Sequence, residues 1–379
     1  MKNKETILLV VPSIGGGGRE RIAVNTAECL RELFDVKVIT FTEKKDSYEC
    51  SCEVINIKAF SSGNSKVLKA LTQMKRAYCI ASFQRKYGAK VIISFGEAAN
   101  LSAVLSKKFG AVNVVTAVHG FAEVLNENRM KYILQNSDRV VCISQEMRFE
   151  IERKYGRKSS LCTIENGYNI DEINRKKTIP IGELDGSPKL IAMGRLNEVK
   201  GFERMLLSVY ELQKEYPQIA LYILGEGELR GKLENISEAL QIQNHVYFLG
   251  NHKNPFPYIS AADVYLLTSH NEGFPNALIE ALACQTPIVS VECKSGPREI
   301  LDEEYSNEKI VGIKPARYGI LVEDSNEDSE FGIRFAEAVS FLLKNENLRE
   351  EYKMKSLKRS KDFSIERYRE KIVELIQSF

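Results

Sequence analysis

No stretch of the chain approaches the ~18 uninterrupted apolar residues of a membrane-spanning helix. The one short apolar run near the start, in MKNKETILLVVPSIGGGG, ends in glycines and a charged segment. It reads as a first buried strand rather than an export signal, so the cytoplasm is the expected location. The eight cysteines (Cys29, Cys50, Cys52, Cys79, Cys142, Cys162, Cys284, Cys293) include no Cys-x-x-Cys pair and no cysteine–histidine spacing of a zinc site. Most stand in apolar surroundings, and reduced, buried thiols are expected. No Asp-x-Asp triplet occurs, so the carboxylates that would hold a divalent ion against phosphates are missing. Nor is there a repeat with a period of about 20–50 residues, which excludes a solenoid.

What is present is alternation. The 379 residues suffice for two α/β domains, and 44% hydrophobic with 27% charged residues is ordinary for a globular protein. TILLVVP, VKVITF, KVIISF, VNVVTAV, DRVVCIS and SLCTIENG read as strands separated by amphipathic helical stretches. Residues 171–188 are polar, with two prolines and two glycines, and read as a linker. The pattern then restarts with PKLIAMGR, IALYILGEG, HVYFLG, DVYLLTS, PIVSV and GILVED, and from Asp328 onward it is helical. Parallel strands with crossover helices follow, hence an α/β fold of two doubly wound domains, 1–175 and 186–360, with a C-terminal helix over 361–379 returning toward the first. Such domains present their strand-end loops to a ligand cleft.

The net charge of +2 conceals a split. Residues 1–170 carry 26 Lys and Arg against 17 Asp and Glu, a net of +9, and residues 171–379 carry 27 against 34, a net of −7. A basic half suits an anionic lipid, phosphate or nucleic-acid partner, and it equally suits an ordinary solvated surface.

Three segments carry candidate chemistry. Gly15-Gly16-Gly17-Gly18 follows the first strand, where glycines let backbone approach a ligand and expose helix-start amides to phosphate. It is not Gly-x-Gly-x-x-Gly, and a plain tight turn remains open. In MGRLNEVKGF, Arg195 lies just past a strand and Lys200 opens the next helix. A planar fork and a point charge at such positions suit a diphosphate, or else they are solvated loop cations. In SHNEGFPNALIEALACQTPIVS, Glu272 follows a strand, Gly273 permits close approach, and Pro275 suits a first helical residue. Amides around Asn276, Ala277 and Leu278 would then act as anion donors, with Glu280 eight residues after Glu272. One carboxylate can accept from sugar hydroxyls and the other from ribose.

This third segment resembles the E-x7-E motif of retaining glycosyltransferases of family 4, whose fold is called GT-B. The glycine loop, His119-Gly120 after a strand, Asn166-Gly167 and GRLxxxKG at 194–201 agree in order across nearly the whole chain. SGPREIL (295–301) and YGILV (318–322) look like the polysaccharide- and glycan-assembly branch. The resemblance implies that Arg195 and Lys200 bind the donor diphosphate, that Glu272 lies near the transferred sugar, and that Glu280 holds the ribose. It implies a histidine near the reaction centre at His119. It further implies donor contacts from Gly16, Gly17, Gly18, Gly225, Gly273, Phe274, Pro275, Asn276, Ala277 and Leu278. His245, His252 and His270 have no such match. In this chain the glycine loop runs on into Arg19-Glu20-Arg21 instead of an Ala or Gly before Glu-Arg, so the roles within 15–19 stay open.

With no Asp-x-Asp, transfer is expected to need no metal and no cofactor, the leaving nucleoside diphosphate being stabilised electrostatically. The resemblance implies a nucleotide-sugar donor, UDP by family frequency, and retention of configuration. It also implies a glycan acceptor on polyprenyl diphosphate. The charge split, with the clusters Lys75-Arg76, Arg85-Lys86, Lys107-Lys108 and Arg148, Arg153, Lys154, Arg157, Lys158, points the same way, to an anionic membrane surface as partner with peripheral attachment, and no nucleic acid is expected. A hydrolase using Glu272 and Glu280, a nicotinamide oxidoreductase and a non-catalytic sugar-nucleotide-binding protein are the competing readings.

Overall fold

The structure, a computed structural model, describes residues 4–44, 47–59, 65–303 and 308–379. It divides into two compact units, Met1–Tyr168 with Ser364–Phe379, and Asn169–Phe363.

The first unit holds seven strands: β1 (Thr6–Val11), β2 (Asp35–Thr40), β3 (Glu53–Asn56), β4 (Val91–Phe95), β5 (Val114–Val118), β6 (Arg139–Cys142) and β7 (Leu161–Thr163). Their order is β3-β2-β1-β4-β5-β6-β7, and every pairing is parallel. β1, β4 and β5 are Val/Ile-rich and almost wholly buried, as strands covered on both faces must be. β3 sits at the edge and is half exposed.

The second unit repeats the plan with β8 (Lys189–Met193), β9 (Ala220–Leu224), β10 (Val246–Gly250), β11 (Val264–Leu267), β12 (Ile288–Val291), β13 (Ile313–Pro315) and β14 (Ile320–Val322). The order is β10-β9-β8-β11-β12-β14-β13, parallel except for β13, which pairs antiparallel with β14. Its core joins Leu190, Leu221, Ile223, Leu266 and Val289 of the sheet to Leu206, Val209, Phe331, Phe335 and Val339 of the covering helices. Both sheets have a point where chain order reverses, β1/β4 and β8/β11, and doubly wound sheets bind ligands beyond the strand ends there.

Two expectations need correction, on the linker and on the cysteines. Residues 171–188 are not all linker: Ile170–Lys176 is a helix. The Asn169 side chain accepts from the Glu172 amide at 2.9 Å, and Ile170 and Ile173 are buried one turn apart. The boundary between units accordingly falls after Tyr168. The terminal helix, Ile365–Gln377, belongs to the first unit. It seats on α1 (Gly18–Leu30) through buried Tyr368, whose hydroxyl lies 2.7 Å from Thr26 Oγ1. Finally, only Cys142, Cys284 and Cys293 are buried; the other five cysteines are partly exposed, and all eight are free.

Candidate functional site

In the first unit the chain leaves β1 into the glycine loop. Gly16 has φ +82°, a conformation that disfavours other residues, and Gly17 is the extended residue ahead of α1, which begins at Gly18. Among the first helical residues, Arg19 donates to Glu20 at 2.8 Å. The Arg19 side chain lies against Gly96 at the end of β4, where a Cβ would come 2.5 Å from it. The two loops of the switch point thus interlock through an arginine on a glycine.

His119 ends β5. Its ring lies 5.6 Å from that of Phe95, and its Nε2 is buried without a hydrogen-bond partner among the described residues. Burial, reinforced by the Arg19 charge, pushes its pKa down to about 3, so the ring is neutral at pH 7. The Glu123 carboxyl accepts from the His119 amide at 3.1 Å and from Asn100 Nδ2 at 3.3 Å. Burial outweighs these bonds and pushes Glu123 up to about 7.

In the second unit the β8 and β11 ends carry charge. Gly194 and exposed Arg195 follow β8. A Cβ on Gly225, in the turn after β9, would lie 1.9 Å from the Gly194 carbonyl oxygen, so that glycine lets the two strand-end loops touch. Lys200 does not open the long helix. It ends a 3-10 turn, Glu198–Lys200, and Gly201, at φ +60°, stands before the helix Phe202–Leu212. That turn brings Lys200 Nζ to 2.6 Å from Glu272 Oε1, which also accepts from Ser269 Oγ at 2.6 Å.

The loop bearing Glu272 is held from two sides. Ser295 donates through its amide to the Glu272 carbonyl at 3.1 Å and through its hydroxyl to the Gly273 carbonyl at 2.6 Å. Buried Phe274 meets the Phe363 ring at 5.5 Å. Pro275 is the extended residue preceding the helix Asn276–Cys284, not its first residue. The Leu278 amide donates to the Pro275 carbonyl at 3.0 Å, so it is spent within the turn and is not the anion donor that the sequence suggested. Glu280 is buried at 2% exposure, and its charge helps burial raise the pKa of buried Tyr265. The Tyr265 hydroxyl in turn meets the backbone of Met193, at the end of β8.

Residues 16–172 match the family model Glycosyltransferase Family 4, and residues 174–359 match Glycosyl transferases group 1. An uncharacterized glycosyltransferase of Methanocaldococcus jannaschii is 30% identical over 370 residues, covering 89% of this chain and 91% of that one. The chain belongs to the family 4 glycosyltransferases. This transferase is also 25% identical over 368 residues, 94% of each chain, to a Campylobacter jejuni enzyme, N-acetylgalactosamine-N,N'-diacetylbacillosaminyl-diphospho-undecaprenol 4-alpha-N-acetylgalactosaminyltransferase. Among solved structures, Anabaena HepE in complex with UDP matches with a TM-score of 0.75 at 17% identity, covering 99% of this chain and 100% of that one. That likeness shows the fold, GT-B.

Two residues of the glycosyltransferase escaped sequence reasoning. Arg204, with 0% exposure, donates to the Thr268 and Ser269 carbonyls at 2.5 and 2.8 Å and to Asp324 at 2.7 Å, and its guanidinium lies 4.1 Å from the Phe331 ring centre. It anchors the segment that delivers Ser269 and Glu272. The available signal was a cation in the middle of an otherwise apolar helical face, FERMLLSV. The other is Glu123, whose signal was a lone acid four residues after His119.

Proposed function

We propose that this transferase moves a hexosyl unit from a UDP-sugar to a glycan carried on polyprenyl diphosphate, with retention of configuration and without a metal ion, in surface polysaccharide or glycan assembly. The observation that carries this reading is the Lys200–Glu272 pair at the β8/β11 switch point, with exposed Arg195 on the same loop after β8. A diphosphate arriving there gives Lys200 a new anionic partner and releases the Glu272 carboxylate to accept from sugar hydroxyls. Arg195 supplies a forked donor, and the start of the helix Asn276–Cys284 adds its positive end. Buried Glu280 accepts from the ribose.

The acceptor oxygen then bonds to the anomeric carbon on the face from which the diphosphate departs. The bond from that carbon to phosphate oxygen breaks, and its electron pair leaves with the nucleoside diphosphate. The acceptor's proton passes to the departing phosphate oxygen, so no separate base is required. His119, kept neutral by burial, adds no positive charge of its own. The UDP in the HepE complex and the diphospho-undecaprenol in the name of the Campylobacter relative support the choice of donor and acceptor.

Attachment to the cytoplasmic face of a membrane is part of the same reading. Helix α2 (Lys66–Tyr87) exposes Val67, Leu71, Met74 and Tyr78 at the spacing of one helical stripe, with Lys66, Lys69 and Lys75 also exposed. An apolar stripe beside lysines suits an anionic leaflet, each cation adding about 1 kcal/mol near the surface. The basic groups farther along contribute less, because Lys107 pairs with Asp138, Arg148 with Glu152 and Arg153 with Glu150.

A panel of nucleotide-sugars, scored by released nucleoside diphosphate with lipid-linked and soluble acceptors in excess EDTA, tests the reaction. Turnover of a UDP-sugar with the lipid-linked acceptor is expected. Hydrolysis without transfer, or a complete loss that added metal restores, refutes it. Salt-sensitive co-sedimentation with anionic vesicles, lost on Leu71→Glu, tests the membrane component.

A further inference from the structure

A second cluster of chemistry lies in the first unit, on elements that the transfer reaction does not use. Cys50 and Cys52 stand on the segment between β2 and β3, and Glu28 is in the last turns of α1. Their two sulfurs and a carboxylate oxygen all lie within 4.8 Å of one another. The Ser51 amide donates to Glu28 Oε1, fixing the Cys-x-Cys loop over the helix, and the Cys52 thiol donates to the Ala27 carbonyl at 3.6 Å. Three groups that become anionic therefore converge. The cation beside them is Arg31, whose Nε lies 3.2 Å from Glu28 Oε2. Cys29 adjoins the cluster but turns its thiol to the Thr26 carbonyl at 3.3 Å.

We propose that Cys50, Cys52 and Glu28 form a structural site for a thiophilic divalent cation of the zinc type, completed by water. Two sulfurs with one carboxylate oxygen is a donor set that zinc accepts in tetrahedral geometry. Ligand atoms around tetrahedral zinc stand roughly 3.3–3.8 Å apart, a spacing within the 4.8 Å that bounds these three groups. On binding, each thiol releases one proton to solvent and forms a sulfur–metal bond. The +2 ion with three anionic ligands leaves one negative charge, which Arg31 faces.

The consequence is mechanical. The segment bearing the cysteines is tied upstream to the glycine loop: Ser47 forms a β-bridge with Gly15, and the Tyr48 amide donates to the Ile14 carbonyl at 2.8 Å. A metal here would clamp that segment to the far end of the helix that the glycine loop begins. The site is independent of where the donor binds.

The test uses the reduced, metal-stripped full chain titrated with Co²⁺. One equivalent should bind with intense thiolate-to-cobalt charge-transfer absorption, bleached by Zn²⁺, and Zn²⁺ should release about two protons and raise Tm. Cys50→Ser and Cys52→Ser should each abolish the absorption, Glu28→Gln should weaken binding, and Cys79→Ser should leave it intact. Alkylation of the wild-type chain, read by mass spectrometry, needs no variant: Zn²⁺ should protect Cys50 and Cys52 while leaving Cys162 labelled as before. Absence of charge transfer, its survival in the double serine variant, or equal labelling with and without Zn²⁺ would overturn the proposal.

Discussion

The two switch points share a topology and differ in what stands on it. At β1/β4 the first unit offers a glycine loop, an arginine resting on a glycine, and near them a neutral, partly buried histidine with a carboxyl pushed toward neutrality. At β8/β11 the second unit offers an exposed arginine, a lysine paired with a carboxylate, and a fully buried arginine beneath them. The strand order sets where a ligand can sit in each sheet, and the proposed reading assigns the donor diphosphate to the charged switch point of the second unit.

The largest effect expected from breaking this contrast is on stability. Arg204→Ala removes a buried cation that holds two carbonyls and Asp324, and should cost about 3–5 kcal/mol. Arg19→Ala, in the corresponding region of the first unit, removes a part-exposed cation and should cost under about 1 kcal/mol. Urea unfolding of the two variants checks the ranking, and similar losses would mean the two sites are built alike.

Next in size is turnover. Glu272→Gln keeps the shape of the side chain but surrenders its charge, and should lower kcat on the order of 100-fold. Affinity for plain UDP should change little, and titration calorimetry beside steady-state kinetics separates the two. A variant that loses UDP affinity and keeps kcat would place the ribose, not the sugar, at Glu272.

A smaller effect sharpens the first unit's side of the comparison. The folded pKa of Glu123 is raised above its unfolded value, so the unfolded chain gives up this proton first as pH rises. The contribution is therefore fully present below about pH 4.5 and is lost as pH climbs to about 7, on the order of 2–3 kcal/mol. Glu123→Gln removes the dependence. The stability difference, wild type minus variant, should be greater at pH 5 than at pH 8, and a difference that is flat or rises with pH contradicts the burial account.

Much of this was legible in the sequence because buried parallel strands write themselves as Val/Ile runs, as in TILLVV and VIISF, and glycine turns mark where such strands end. The Arg195, Lys200 and Glu272 positions were readable for the same reason: each follows a strand. The edges were not. β3 is half exposed and four residues long, and β13 is three residues ending in Pro315, so neither carries a burial pattern. The helix over 170–176 hid in a polar segment because only Ile170 and Ile173 face inward. Arg204 and Glu123 were missed because a charged residue on a helix reads as solvated until the structure shows what covers it. The Lys200–Glu272 pair depends on a 3-10 turn with Gly201 at positive φ, a local geometry with no periodicity to announce it.

The central claim is that the β8/β11 switch point holds the donor diphosphate. Calorimetry of UDP with the wild-type chain, Arg195→Ala and Lys200→Ala tests it directly, with Gly18→Ala in the first unit as the comparison. Each cation should account for about 2–5 kcal/mol, so each variant should bind UDP at least about 30-fold more weakly, while Gly18→Ala changes affinity far less. Unchanged UDP affinity in both cation variants would contradict the account and place the phosphates elsewhere.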